Sequence, residues 1–536
     1  MKRLSFIINC FVFGALFFSA GCIKKLDLVP TNDITADEVY KDAAGYKQAL
    51  AKVYGAFALT GNAGGTGNAD ISHEIINDEG NSDFLRLYWN LQELTTDEAA
   101  WTWQNDAGIK GMKEMNWSSD NAIVKGLYYR SIFQITICND FIRQCADDKV
   151  NSRGLTGTDA DNIKKYKAEA RFIRAYQYWV LMDVYANPPF VDENTPIATG
   201  LPEQIQRKDL FSYIESELNA IDADLADART NEYGRADKAA AWALLARMYL
   251  NAKVYTGTEK YTEAITYCNK IISAGYSLHN NYSELTTADN DLNTDENIFT
   301  ITYDGTYTQN WGGTTYLAHG PAAVPASISG TSGNWGGLRH TQQFVALFPD
   351  PSGNTDTRAQ FYMTGQNLIM TQLYTGSDGY SSFKFRNLTR SGSPAPHADP
   401  AGYFTDIDFP LFRFAEIYLI YAESVLRGGT GGDAATALTY INELRTRAYN
   451  GSSDGNITSS QLTLDFMLDE RGRELYYEAQ RRTDLVRYDK FTTSAYLWAW
   501  KGGVADGVAV DAKYNIFPIP SVDLSSNPYL QQNPGY

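Results

Sequence analysis

Ala236-Asp-Lys-Ala-Ala-Ala-Trp-Ala-Leu-Leu-Ala-Arg-Met-Tyr-Leu-Asn-Ala-Lys253 decides the fold class. Ala241, Leu245, Met248 and Tyr249 fall at i, i+4, i+7 and i+8, which is one face of an α-helix. Thr256-Gly257 interrupts the pattern, and a second helix is predicted from about Glu259 to Ile272. The pairing recurs late in the chain. Residues 410–427 predict one helix, ended by Gly428-Gly-Thr-Gly-Gly432. Asp433 is a good N-cap, and Ala437, Tyr440, Ile441 and Leu444 continue at helical spacing. Small residues sit where paired helices would approach closely, at Ala246 and Ala264, then at Ala422 and Ala437. Such units resemble tetratricopeptide repeats, which stack to share a core. Residues 163–186 add a longer helix, stopped by Pro188-Pro189. The predicted fold is therefore mainly α.

Residues 280–405 break this rhythm. They are rich in Gly, Ser, Thr, Asn and Asp, and short runs such as Ile298-Phe-Thr-Ile-Thr-Tyr303 suggest isolated strands. The expected architecture is a loop-rich lobe on a helical scaffold. Long loops in a compact protein are usually functional or disordered, and the Trp and Tyr content argues against disorder.

The first residues read as a leader. Met1-Lys2-Arg3 is basic, Leu4 to Gly21 is uncharged and mostly apolar, and Phe18-Ser-Ala-Gly-Cys22 ends in small residues before a cysteine. This pattern resembles a bacterial lipobox, with residues 1–21 removed and Cys22 lipidated; an uncleaved membrane helix is the alternative. Residues 22–536 would then form the mature protein. Losing Lys2 and Arg3 takes the formal charge from −17 to −19, which disfavours nucleic acid as a partner and does not oppose a neutral one. Cys138, Cys145 and Cys268 show no metal-finger spacing.

Nucleophile-elbow, zincin, P-loop and dinucleotide motifs are missing. A glycosidase needs only two acids close in space, so a hydrolase stays open on motif grounds. Aromatic residues gather in two places outside the helical stripes. One is Arg86-Leu-Tyr-Trp89 with Trp101-Thr-Trp103-Gln-Asn105-Asp106; the other is Asn310-Trp311-Gly-Gly with Gly333-Asn-Trp335-Gly-Gly337. An indole offers a face for the C–H side of a sugar ring, and guanidinium, amide and carboxylate groups match its hydroxyls. The other reading is that these tryptophans anchor loops to the core. Trp101 and Trp103 share a side if the segment is extended and separate if it is helical.

Further blocks carry a likeness to a known family. They include Leu94-Thr-Thr-Asp-Glu98 leading into Trp101-Thr-Trp-Gln104, Ala168-Glu-Ala-Arg-Phe-Ile-Arg-Ala175, Arg481-Arg-Thr-Asp-Leu-Val-Arg487, Tyr496-Leu-Trp-Ala-Trp-Lys-Gly-Gly503 and Gln532-Asn-Pro-Gly535. The chain resembles the SusD/RagB family over nearly all its mature length, and its starch-binding branch most. The resemblance implies a non-catalytic, lipid-anchored glycan binder at the outer membrane, facing the cell exterior. Starch or malto-oligosaccharide would be the ligand and a SusC-like TonB-dependent transporter the partner. It implies an aromatic arc of Trp103, Trp311 and Trp335, with Arg86 at its edge. Trp311 replaces the branch's tyrosine. The branch's edge asparagine aligns with Asp106, while Asn105 lies one place earlier. A structural Ca²⁺ at Asp291, Asp406 and Asp408 is also implied, and hard oxygen donors suit it.

Overall fold

The computed structural model describes residues 36–62, 64–67, 69–72, 74–76, 78–196 and 200–536. Cys22 and the leader lie outside them. The helix Lys238–Leu250 packs on Tyr261–Ser273, which packs on Phe414–Leu426, which packs on Ala434–Ala448. Ala246, Ala264, Ala422 and Ala437 are all fully buried. The alanines thus sit in the interior of the stacked pairs, as the spacing predicts. Asp237 and Asp433 cap their helices by accepting from the N–H groups of Ala239 and Ala435, and Gly257 closes a turn at φ 77°. The helix Thr158–Tyr185 packs between Ala122–Gln144 and Arg207–Ile221 and buries Trp179.

One expectation fails. Residues 410–413 are not helical: Phe409–Arg413 is a strand, antiparallel to Asn297–Ile301, and the helix begins at Phe414. Pro410 falls within that strand, and all five residues are buried. Arg413 is fixed there by carboxylates. It donates to Glu296, Glu474 and Glu478 at 2.6–2.8 Å, and Arg447 and Arg358 extend the network to Glu474 and Glu470. A fully buried strand shows no alternation, so periodicity could not separate it from the helix that follows.

The lobe is built from paired short strands, turns and single helical turns. Ala100–Trp101 pairs antiparallel with Leu338–Arg339, and Phe361–Tyr362 with Ser381–Ser382. The first pair ties the Trp101 segment, which follows the helix Phe84–Glu93, to the lobe. Cys138, Cys145 and Cys268 are free and buried. No helix among the described residues is long and apolar enough to cross a membrane.

Candidate functional site

The helix Phe84–Glu93 starts at Asp83, whose carboxylate caps the N–H of Arg86 at 2.8 Å and accepts from Gly313 N–H at 2.8 Å. One residue therefore fixes both Arg86 and the Trp311 loop. Glycine is required at this junction, because a Cβ on Gly312 would lie 2.1 Å from that of Asp83. Arg86 donates to the Trp311 carbonyl at 3.1 Å, and its guanidinium lies 4.5 Å from the Tyr316 ring centre. Its Nε has no protein partner.

Trp311 is held at both ends. Its backbone N–H donates to Glu79 at 3.2 Å and its indole N–H donates to the Gly65 carbonyl at 2.9 Å. The Trp311 indole thus turns its polar atom into the protein. Burial pushes the Glu79 carboxyl above its ordinary pKa. Trp335 lies 6.2 Å from Trp311 at 53° and 6.4 Å from Tyr316. Tyr316 in turn meets Trp101 at 5.2 Å, and Trp101 meets Trp103 at 5.7 Å and 61°.

The Trp101 segment is extended, so the two indoles share a side, as one of the two sequence readings required. Their roles differ. Trp101 is buried with its N–H on Asp106 at 2.9 Å, whereas Trp103 is 46 % exposed. Asp106 reaches back because its N–H donates to the Trp103 carbonyl in a tight turn. Asn105 stands at the outside of that turn, exposed.

Arg86, Trp103, Asp106, Trp311 and Trp335 line one open recess of about 490 Å³, together with Gly65, Asp78, Glu79, Gly80, Asn81 and Trp101. Five of the six expected contact residues are therefore gathered, and Asn105 does not line it. Sequence reading missed Asp78, Glu79 and Asn81, which sit in a polar stretch with no periodic signal. Successive rings along Trp103, Trp101, Tyr316, Trp335 and Trp311 are inclined by 42–61°, so the aromatic wall is not a flat platform.

The three acids proposed for calcium lie apart from this recess. Asp408 is buried, accepts from Tyr303 N–H at 2.8 Å, and burial with nearby Asp291 and Asp406 pushes it up to about 7. Burial likewise pushes Asp406 up to about 6, although His397 N–H donates to it at 2.8 Å. Asp291 is exposed. As placed, no three His, Cys, Asp or Glu side chains among the described residues gather closely enough to hold an ion. The acids feel one another without forming a cage.

Comparison with known proteins places this architecture. A profile described as "SusD family" matches residues 295–536, and one described as "Starch-binding associating with outer membrane" matches residues 66–250. The starch-binding protein SusD of Bacteroides thetaiotaomicron is 36 % identical, with 96 % of each chain covered. The chain belongs to the SusD family. SusD-like protein P2 of Formosa agariphila is a more distant member, 24 % identical over 80 % of this chain and 85 % of its own. Among solved structures, a SusD homolog from B. thetaiotaomicron superposes with a TM-score of 0.73 at 19 % identity, covering 94 % of this chain and 99 % of that one. Surface glycan-binding protein A from the same organism, in complex with laminarihexaose, gives 0.67 at 19 % identity, covering 91 % and 99 %. These superpositions establish that the SusD fold accounts for the helical scaffold and lobe together.

Proposed function

We propose that the recess binds a neutral glycan, an α-1,4-glucan such as starch or malto-oligosaccharide. The observation that carries this is that the indoles of Trp103, Trp335 and Trp311 line one open recess with Arg86, Trp335 and Trp311 being inclined to each other by 53°. A helical glucan presents successive ring faces at changing angles, and inclined indoles can each meet one. Hydroxyls at the rim would be read by Arg86, Asp106, Asp78 and Asn81. Each stacked sugar removes apolar area at about 25 cal/mol per Å², and hydroxyl desolvation offsets much of it, so micromolar or weaker affinity is expected. The likeness to the B. thetaiotaomicron starch binder supports the ligand class.

The protein acts as a binder without catalysis in this reading. Asp106 already holds Trp101 and Glu79 holds Trp311, so any acid pair within the recess, whose third acid is Asp78, would have to include a committed group. Lipidated Cys22 would tether the protein to the outer membrane, facing outward, and a SusC-like TonB-dependent transporter would receive the glycan. Tethering raises local concentration, so each contact can stay weak. Calcium would be held by Asp291, Asp406 and Asp408 only if it draws Asp291 and backbone carbonyls inward; a rise in Tm with Ca²⁺ that Asp408→Asn abolishes is the expected result.

Affinity electrophoresis tests the main reading. Amylopectin should retard the wild type, and Trp103→Ala or Trp335→Ala should abolish the retardation at unchanged Tm. Retardation by laminarin in place of amylopectin would move the ligand to a β-linked glucan, and unchanged migration of both variants would remove the recess as the site.

A further inference from the structure

We propose that His319 is a positioning residue for Trp335, and that its protonation tightens the glycan wall. This rests on the glycan-binding reading above. His319 is the last residue of the helix Gly313–His319 and is 2 % exposed. Its ring stacks on the Trp335 indole at 5.1 Å and 15°, and its carbonyl accepts from Trp335 N–H at 2.7 Å. His319 is therefore the solid backing of the indole that faces the recess.

The two ring nitrogens decide the chemistry. Nδ1 lies 2.7 Å from the Gly333 carbonyl, two residues before Trp335, and Nε2 lies 2.9 Å from the Tyr403 carbonyl. Carbonyl oxygens only accept. A neutral imidazole has one N–H, so its other nitrogen would set a lone pair against a carbonyl lone pair. One neutral tautomer holds the Trp335 segment, and the other holds the Tyr403 segment. Only the imidazolium donates to both.

Both clamped segments belong to the wall. Tyr403 and Phe404 pack on Trp311 at 5.9 and 4.8 Å, and Ser332 N–H donates to the Gly402 carbonyl at 2.9 Å. Drawing the two carbonyls onto one ring fixes Trp335 relative to Trp311. Burial works against the charge and outweighs the carbonyls, which favour it, so the net shift of the pKa is downward. The surrounding charges are few. The segment 331–335 has no ionisable side chain. Segment 399–406 brings the Tyr403 phenol, Asp406, and Asp399, which is occupied by Tyr403 N–H. The helix Phe84–Glu93 contributes Arg86, whose guanidinium lies over the Tyr316 ring, and its cap Asp83.

The test uses the full-length protein and amylopectin. Because burial lowers the His319 pKa, wild-type affinity should rise only as pH falls below the ordinary histidine value of about 6.5. His319→Phe keeps a stacking ring without donors, and His319→Gln keeps one donor. At the acidic end of that range both should bind about threefold to tenfold more weakly than wild type, as for a lost hydrogen bond, with a flat pH profile and a Tm close to wild type. Wild-type affinity and pH slope in both variants would overturn the proposal. A readout independent of mutant folding is the imidazole ¹⁵N spectrum of the wild type. Both His319 nitrogens should carry protons in the acidic range where affinity rises, and a persistent lone pair there would overturn the switch. Trp335→Ala serves as the control: if it binds normally, the glycan reading fails, and if it alone fails to bind, only the role of His319 is lost.

Discussion

Trp101 and Trp103 are two residues apart and take opposite parts in the site. Trp103 presents its ring to solvent, while Trp101 supports it from beneath, pinned by Asp106. Sequence showed the pair but not the division of labour, since that depends on the Asp106 turn and on Tyr316 below. Trp311 and Trp335 were legible because glycine- and asparagine-flanked loops have no helical stripe to absorb an indole. Tyr316 and His319 were not legible, because on the short helix Gly313–His319 they read as ordinary core residues. Asp106→Ala should free the Trp101 N–H in a buried setting and weaken glycan binding about fivefold, the worth of about 1 kcal/mol, whereas Asp106→Asn keeps an acceptor and should stay within about twofold. Isothermal titration of the pair checks this. Gly337→Ala should be more damaging, because the new Cβ would sit 2.2 Å from the Trp101 ring, which Tyr316 prevents from retreating. Loss of retardation by glycan with retained helical circular dichroism is the expected signature.

Among elements, the stacked helix pairs were the most legible part. Alanine at the contact positions, a breaker between helices and an acidic cap are local signals, and the structure uses each of them. The strand Phe409–Arg413 was illegible for a physical reason: five consecutive buried residues carry no period, and what selects extended backbone is pairing with Asn297–Ile301 more than a hundred residues earlier. Asp433→Ala removes the cap of Ala434–Ala448 and should cost about 1 kcal/mol in urea unfolding without changing glycan affinity. Ala264→Leu pushes a larger side chain into the packed contact between Tyr261–Ser273 and its neighbours, and should cost about 1 to 3 kcal/mol.

Across the whole molecule, charge buried in the interior joins the lobe to the scaffold. Arg413 serves Glu296 from the lobe and Glu474 and Glu478 from the helical body. Removing it leaves three carboxylates without their shared partner, so Arg413→Met should cost about 3 to 5 kcal/mol, read as a fall in the midpoint of chemical unfolding. A second buried cluster sets a pH dependence. Glu93 and Glu98 are buried neighbours: burial raises both carboxyls above the ordinary 4.5, and the Glu93 charge raises Glu98 further. The folded state therefore retains a proton that the unfolded chain releases above about pH 4.5. This stabilisation is complete below that pH and is lost as pH rises through the raised folded-state values. Unfolding midpoints should decline from mildly acidic to alkaline solution, and Glu98→Gln should flatten the decline.

The free cysteines turn the same interior into a clock. Burial pushes Cys138 and Cys145 up to about 12 and raises Cys268 as well, so at neutral pH none offers the thiolate that alkylating reagents attack. Each becomes reactive only when its own stretch of the scaffold opens. Cys138 and Cys145 sit in and just after the helix Ala122–Gln144, and Cys268 in Tyr261–Ser273. Timed pulses of a thiol reagent, followed by mass spectrometry of the separate peptides, would date the opening of the two helical regions independently. Simultaneous labelling would mark a single cooperative unit, and staggered labelling would reveal which end of the scaffold yields first.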